Sequence, residues 1–154
     1  MTRVLRIALV GGGLGGLTAA LALAGAGFDA HVFEQAHRLR EVGAGVGLSP
    51  NALKVLRALG VEGEVRRRGS IPDAIVGRDW TTGQQLFRIP LKDAVGVRFG
   101  AENVQIHRGD LLNILATRIA PSQIHLNSRC VAVSSCDRGA FSRSAMAGRK
   151  NSIW

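Results

Sequence analysis

Only two cysteines, Cys130 and Cys136, occur in the chain, without the spacing of metal ligands and with no second pair to complete a site. They are read as small incidental thiols. The four histidines, His31, His37, His107 and His125, are scattered and point to no metal cluster. Aromatic residues are scarce at 5%, and none is interleaved with the basic side chains as a stacking platform for nucleic acid requires. Acidic residues are outnumbered, 11 against 20 basic, for a net charge of +9. The distribution weakens any phosphate-binding reading: Arg138, Arg143, Arg149 and Lys150 lie in the last seventeen residues, and the one dense run is Arg66-Arg67-Arg68. Nucleic acid is therefore not an expected partner.

Charge is absent altogether from residues 7 to 28, long enough for a membrane span. The Gly-Gly-Gly-Leu-Gly-Gly block near its start makes one continuous helix unfavourable and divides the stretch into strand, turn and helix. No basic segment and cleavage site frame it as a signal peptide, so the expectation is a cytoplasmic protein with no membrane partner. At 154 residues, with 46% hydrophobic content, the chain can build one domain with a real core but is short for a two-domain oxidoreductase.

What the sequence has in abundance is glycine, 20 copies, many clustered at 11–16 and 43–47. Clustering of that kind suggests backbone held close to a ligand. Val4 to Val10 read as a buried strand ending at the first cluster. Leu14, Leu17, Leu21 and Ala24 recur at helical spacing, and Gly25 to Gly27 stop the pattern. Ala30 to Glu34 make a second strand, completing a βαβ unit with parallel strands. Further on, Ser49 and Pro50 open a helix with Leu53, Leu56 and Leu59 on one face and Gly60 at its end. Ala74–Trp80 and Gln85–Ile89, separated by Thr81-Thr82-Gly83, form a β-hairpin. Val104–His107 is extended and precedes a helix that Asp110 caps. Ile124–Leu126 and Cys130–Val133 are further strands.

Gly11, Gly13 and Gly16 stand as G-x-G-x-x-G between the first strand and the first helix. The first glycine permits the tight turn, the second admits a pyrophosphate to the backbone, and the third lets helix and strand approach. The helix then presents free N–H groups and the positive end of its dipole to phosphate. Leu14, inside the turn, is counted with them as a candidate contact. A turn of this kind can also serve only to pack a helix. Glu34, eighteen residues after Gly16 at the end of the second strand, favours the dinucleotide, because its carboxylate can accept hydrogen bonds from both ribose hydroxyls. A carboxylate there repels the 2′-phosphate of NADP, but it does not distinguish FAD from NAD.

The distinction comes from Leu39-Arg40-Glu41-Val42-Gly43-Ala44-Gly45-Val46-Gly47-Leu48-Ser49-Pro50-Asn51-Ala52 and from Gln105-Ile106-His107-Arg108-Gly109-Asp110-Leu111-Leu112. From about residue 4 to 134 the sequence resembles the flavin-dependent aromatic hydroxylases, the group that includes salicylate hydroxylase and para-hydroxybenzoate hydroxylase. The resemblance implies FAD as cofactor, with Gly43, Ala44 and Gly45 beside the flavin and Arg108 reaching back to it. On the residues alone, Arg108 is equally an exposed charge or a partner of Glu102 or Asp110. Arg40 is a weaker candidate, since nothing in the sequence fixes its direction. Cys130 sits where the family often offers a backbone contact to adenine. The implied activity of a full-length relative is hydroxylation of a phenolic or other small aromatic substrate with NADH or NADPH and oxygen. An NAD-dependent dehydrogenase portion, and a non-catalytic remnant that binds no cofactor, are the alternatives.

The resemblance stops where the family's later Asp-Gly and Gly-Asp-Ala segments would follow, so no catalytic residue is named and the chain by itself is expected to be inactive. The expected fold is α/β, a Rossmann-like FAD-binding βαβ core with a β-hairpin insertion, truncated before its closing strands. Residues 1–134 form the N-terminal part of an FAD-binding domain. Residues 135–154 are expected to be an irregular tail, rich in Arg, Ser and Ala, for which a slipped reading frame is one reading and a naturally short chain the alternative. Read two bases on, permitted codons for this tail place a Gly-Asp-Gly turn between two strands. Such a product leaves a sheet edge unpaired.

Overall fold

The computed structural model describes residues 5–39, 43–136 and 139–145, with side chains as far as Val133. In chain order the elements are β1 (Arg6–Val10), α1 (Leu14–Gly25), β2 (Asp29–Phe33), β3 (Gly45–Leu48), α2 (Pro50–Ala58), α3 (Glu62–Arg68), β4 (Ala74–Arg78), β5 (Gln85–Pro90), α4 (Lys92–Phe99), β6 (Val104–His107), α5 (Arg108–Ala116), β7 (Ile124–His125), β8 (Arg129–Cys136) and β9 (Gly139–Ala145). They divide into two compact units, residues 1–41 with 112–154, and residues 42–111.

The first unit is the βαβ core. β1 and β2 run parallel with Arg6 opposite Asp29 and Val10 opposite Phe33, and β2 pairs in parallel with β7. Leu17 and Ala20 of α1, with Ala30, Val32 and Phe33 of β2, are buried. The uncharged run thus becomes a strand, a turn and a twelve-residue helix, and among the described residues no helix is long and apolar enough to cross a membrane. Gly27 ends α1. At φ +86° it takes the left-handed conformation in which the Gly27 N–H donates to the Ala24 carbonyl and the Phe28 N–H to the Leu23 carbonyl, the paired bonds of a Schellman ending.

β1 is less buried than its composition suggests. Its ends are exposed and its centre half-buried, because in the sheet order β1-β2-β7 it has a neighbour on one side only. β7 stops at His125 and not at Leu126: Asn127 turns the chain at φ +54°, its N–H donating to the Ala36 carbonyl. β8 and β9 pair antiparallel, Arg129 opposite Ala145 and Cys136 opposite Gly139. Backbone hydrogen bonding therefore continues to Ala145 where an irregular tail was expected from residue 135, since a strand beside β8 satisfies polar groups that a tail would leave open. Residues 146–154, the rest of that tail, lie outside the described residues.

In the second unit β3 pairs antiparallel with β6, Gly45 opposite His107 and Leu48 opposite Val104. The sequence reading has no strand at 45–48, where two glycines lower strand propensity. Here Gly47 is useful for its lack of a side chain: a Cβ would lie 3.0 Å from the Gln105 amide. α2 opens at Ser49 with Pro50 in its first turn, buries Leu53 and Leu56, and is followed by Gly60 at φ +72°, as expected. α3 and α4 have no counterpart in the sequence reading. α3 buries Val65 alone and α4 buries nothing, so neither shows apolar periodicity.

The β4–β5 hairpin forms, but β4 ends at Arg78 and Trp80 is almost fully exposed. Asp79 ends it by folding back on the turn, its Oδ1 accepting from the N–H groups of Thr81 (3.0 Å) and Thr82 (2.7 Å). α5 starts at Arg108, which puts Asp110 inside the first turn and not at the cap. A carboxylate still suits that end of the helix dipole. Leu111, Leu112, Ile114 and Leu115 are buried along it.

β7 is held to β2 by a ring network as well as by its ladder. His31 Nδ1 lies 2.9 Å from His125 Nε2, and His31 Nε2 lies 3.0 Å from Asp29 Oδ1. Arg6 Nε is 3.5 Å from Asp29 Oδ2, and the His125 ring stacks on Phe33 with centroids 4.6 Å apart. Burial, assisted by the neighbouring His31, pushes the His125 imidazole below its ordinary value of 6.5. The unfolded chain then takes up this proton at a higher pH than the folded chain. The stability involved is whole above about pH 6.5 and is lost as pH falls through the lower folded value. Melting of the chain followed by circular dichroism should show a midpoint that drops by a few degrees from pH 7 to pH 5. His125→Gln should flatten that dependence, and an equally steep profile in the variant would locate it elsewhere.

Candidate cofactor site

The glycine turn between β1 and α1 is built from three different local requirements. Gly11 sits at φ +107°, a conformation L side chains rarely adopt, while its N–H donates to the Phe33 carbonyl at 2.8 Å. A Cβ on Gly16 would fall on the Gly11 carbonyl oxygen, so α1 crosses the end of β1 at a distance only glycine permits. Gly13, by contrast, has nothing within 4 Å of where a Cβ would stand. It is the N-cap of α1, in extended conformation, and supplies no side chain to the N–H groups of the first turn. Leu14, the first helical residue, is half-buried. No acidic residue lies in that turn, so the positive end of the helix is left for an anion.

Glu34 follows directly on β2. Its own N–H donates to the His125 carbonyl and its carbonyl accepts from the Ser128 N–H, both at 2.8 Å, which anchors it on the strand side. Its carboxylate reaches the glycine turn, where Oε2 accepts from the Gly12 N–H at 2.6 Å, while Oε1 accepts from the Ala36 N–H at 2.8 Å. The structure thus brings Gly11, Gly13, Leu14, Gly16 and Glu34 together. It also adds Gly12, a variable position of the fingerprint, as a direct partner of Glu34. The sequence signal was present as three consecutive glycines, but nothing in it shows that the middle amide is the one bound.

Cys130 belongs to the same unit, half-buried near the start of β8, with its Sγ 3.8 Å from the Ala132 carbonyl. The thiol is turned to its own strand.

Within the second unit, the two distant segments singled out in the sequence become neighbours. The β3–β6 ladder sets Gly45 opposite His107, the Arg108 N–H donates to the Ala44 carbonyl at 3.3 Å, and a Cβ on Gly43 would lie 3.7 Å from the Arg108 Cβ. Gly43, Ala44 and Gly45 are exposed. Of the carboxylates suggested for Arg108, Glu102 binds Arg66 through both oxygens, and Asp110 lies 3.9 Å from Arg68. Arg40 falls outside the described residues. The basic run is similarly occupied. Arg67 and Arg68 pair with Glu64, and Arg66 lies near Glu62, itself bound by Arg57. The Arg57 guanidinium holds the Glu62 carboxyl below the usual carboxylate range, and Arg67 does the same to Glu64.

A strand, glycine turn and helix with these clearances is a dinucleotide mount, and comparison with known proteins decides which dinucleotide. Residues 2–135 match the family described as FAD binding domain. The chain belongs to this FAD-binding family. It is 39% identical over 132 residues to 6-hydroxynicotinate 3-monooxygenase of Bordetella bronchiseptica, covering 86% of this chain and 34% of that protein. It is 43% identical over 107 residues to 3-hydroxybenzoate 6-hydroxylase of Polaromonas naphthalenivorans, covering 70% of this chain and 27% of the hydroxylase. The crystal structure of Klebsiella pneumoniae HpxO complexed with FAD and uric acid has the same fold, with a TM-score of 0.83 at 23% identity over 97% of this chain and 37% of that one. The chain spans about a third of the length of these relatives. FAD is the cofactor of this family, and the resemblance to aromatic hydroxylases read from the sequence is confirmed by the relatives.

The glycine turn makes a sharp demand on Gly16. Gly16→Ala should destabilise the chain by at least about 3 kcal/mol, the upper end of overpacking, because the methyl meets backbone and not a flexible side chain. Urea unfolding checks this, and an unchanged midpoint would show that helix and strand are not held at this distance.

Proposed function

We propose that this chain holds FAD through Gly11, Gly13, Leu14, Gly16 and Glu34, with Gly43, Ala44, Gly45 and Arg108 as the further cofactor contacts that the family resemblance implies. It serves as the cofactor-binding part of a monooxygenase that hydroxylates a small aromatic ring. The observation that carries this reading is the contrast within the turn: Gly16 is closed by backbone while Gly13, at the head of α1, faces open space. A pyrophosphate needs that space and those N–H groups. The first-turn amides then receive the phosphates, and the Glu34 carboxylate receives the adenosine ribose. For Arg108, for the exposed backbone at 43–45 and for the backbone at Cys130 as an adenine contact, the support is the family resemblance. When bound, FAD supplies redox chemistry, passing reducing equivalents from NADH or NADPH to the activation of oxygen. The residues of this chain bind and orient it; the aromatic substrate is met by parts of the longer relatives that this chain does not span. NAD-dependent dehydrogenation has no support from the family match.

Occupation of the Arg66-Arg67-Arg68 run by carboxylates leaves little basic surface there for nucleic acid, and the reductants named fit a cytoplasmic protein.

Titrating the purified chain into FAD and following flavin fluorescence should give a saturable change that ADP competes away. Gly13→Val should keep the melting behaviour of the parent and weaken FAD at least tenfold, or about 1.4 kcal/mol. FAD binding that survives Gly13→Val would place the pyrophosphate elsewhere, and absence of any saturable signal in the parent chain would overturn the reading.

A further inference from the structure

Glu34, directly after β2, carries a carboxylate suited to a ribose. Its surroundings give it a second task. The Gly12 amide is buried, and its N–H points at Glu34 Oε2 at 2.6 Å, a charge-assisted bond in the middle of the turn that must receive phosphate. The other oxygen is tied to the Ala36 N–H, so the carboxylate bridges the turn and the chain just beyond β2. An ionised carboxylate accepts about four hydrogen bonds, and two remain after these for ribose hydroxyls. From the other side Leu39 closes over the same glycine. A Cβ on Gly12 would lie 2.6 Å from Leu39 Cδ2 and 3.0 Å from Glu34 Cβ.

We propose that Glu34 is a positioning residue for the phosphate turn, holding the Gly11–Gly13 backbone in its binding conformation before any cofactor arrives, with Leu39 covering the same glycine. The inference rests on the FAD reading for its purpose but not for its test, because the clamp belongs to the cofactor-free chain. Ordering a turn in advance removes a cost that binding would otherwise meet. Glu34 thus serves both states: two hydrogen bonds to backbone throughout, and two acceptor sites for the ribose once FAD is bound.

The experiment is amide hydrogen exchange and thermal unfolding of the full chain without cofactor, followed by FAD titration. In the parent chain the Gly12 amide should exchange at least tenfold more slowly than the Gly13 amide. Glu34→Ala should speed Gly12 exchange at least tenfold, lower the cofactor-free midpoint by several degrees and weaken FAD, with Glu34→Gln between the two. Gly12→Ala should lower the midpoint as well, and adding Leu39→Ala should recover part of the loss in both midpoint and FAD affinity. If Glu34→Ala weakens FAD while leaving the cofactor-free midpoint and Gly12 exchange unchanged, the clamp is wrong and Glu34 is a ribose ligand alone. Should Glu34→Ala fail to fold, fast Gly12 exchange in the parent overturns the clamp equally. Protection of Gly12 that depends on Glu34 in a chain that never binds FAD would support the clamp and remove the cofactor reading.

Discussion

α1 can leave β1 as it does because Gly16 carries no side chain. The Gly11 carbonyl oxygen occupies the place where a Cβ would stand, so the helix starts directly over the strand end and its first-turn amides open where the strand stops. Everything else in the first unit follows from that approach. β2 can return parallel to β1 across the short helix, Gly11 can donate to the Phe33 carbonyl, and Glu34 emerges within reach of the Gly12 amide. The glycine turn is thereby supported from two directions, by the helix above and by the end of the adjacent strand.

Electrostatics are arranged to suit the same purpose. The first turn of α1 holds no carboxylate, which would compete with phosphate for the helix dipole. Among the described residues, the Glu34 carboxylate beside the turn accepts from the backbone N–H groups of Gly12 and Ala36. Elsewhere the excess of basic groups is less available than the net charge of +9 suggests, since Arg57, Arg66, Arg67 and Arg68 are each paired with an acidic neighbour. These pairs are mostly exposed and contribute little stability individually. Their effect is to neutralise a surface that composition alone would present as a phosphate-binding patch.

Much of the chain was legible where its signals are short-range. Gly11 needs a positive φ, Gly27 ends a helix, Ser49-Pro50 opens one, and each of these is a statement about a few neighbouring dihedrals. The elements that escaped notice are those whose stability comes from partners far along the chain. β3 is a strand only because β6 lies beside it, and α3 shows a single buried residue, Val65, too little for a periodic pattern. Boundaries slipped for a related reason: Asp79 and Asn127 end strands through contacts that no propensity scale contains.

By itself the sequence determined the βαβ unit, the glycine turn and the kinship with FAD-binding hydroxylases, because these depend on local backbone requirements and on residue types that read in order. Tertiary structure alone decided that β1 has one neighbour and that Ala44 meets Arg108 across a ladder joining segments some sixty residues apart. It also decided that the amide held by Glu34 is that of Gly12. Those are contacts between parts of the chain that carry no mark of each other. A hydrogen bond between distant backbone groups leaves no periodicity behind, and closing the intervening loops costs an entropy that only the assembled fold repays.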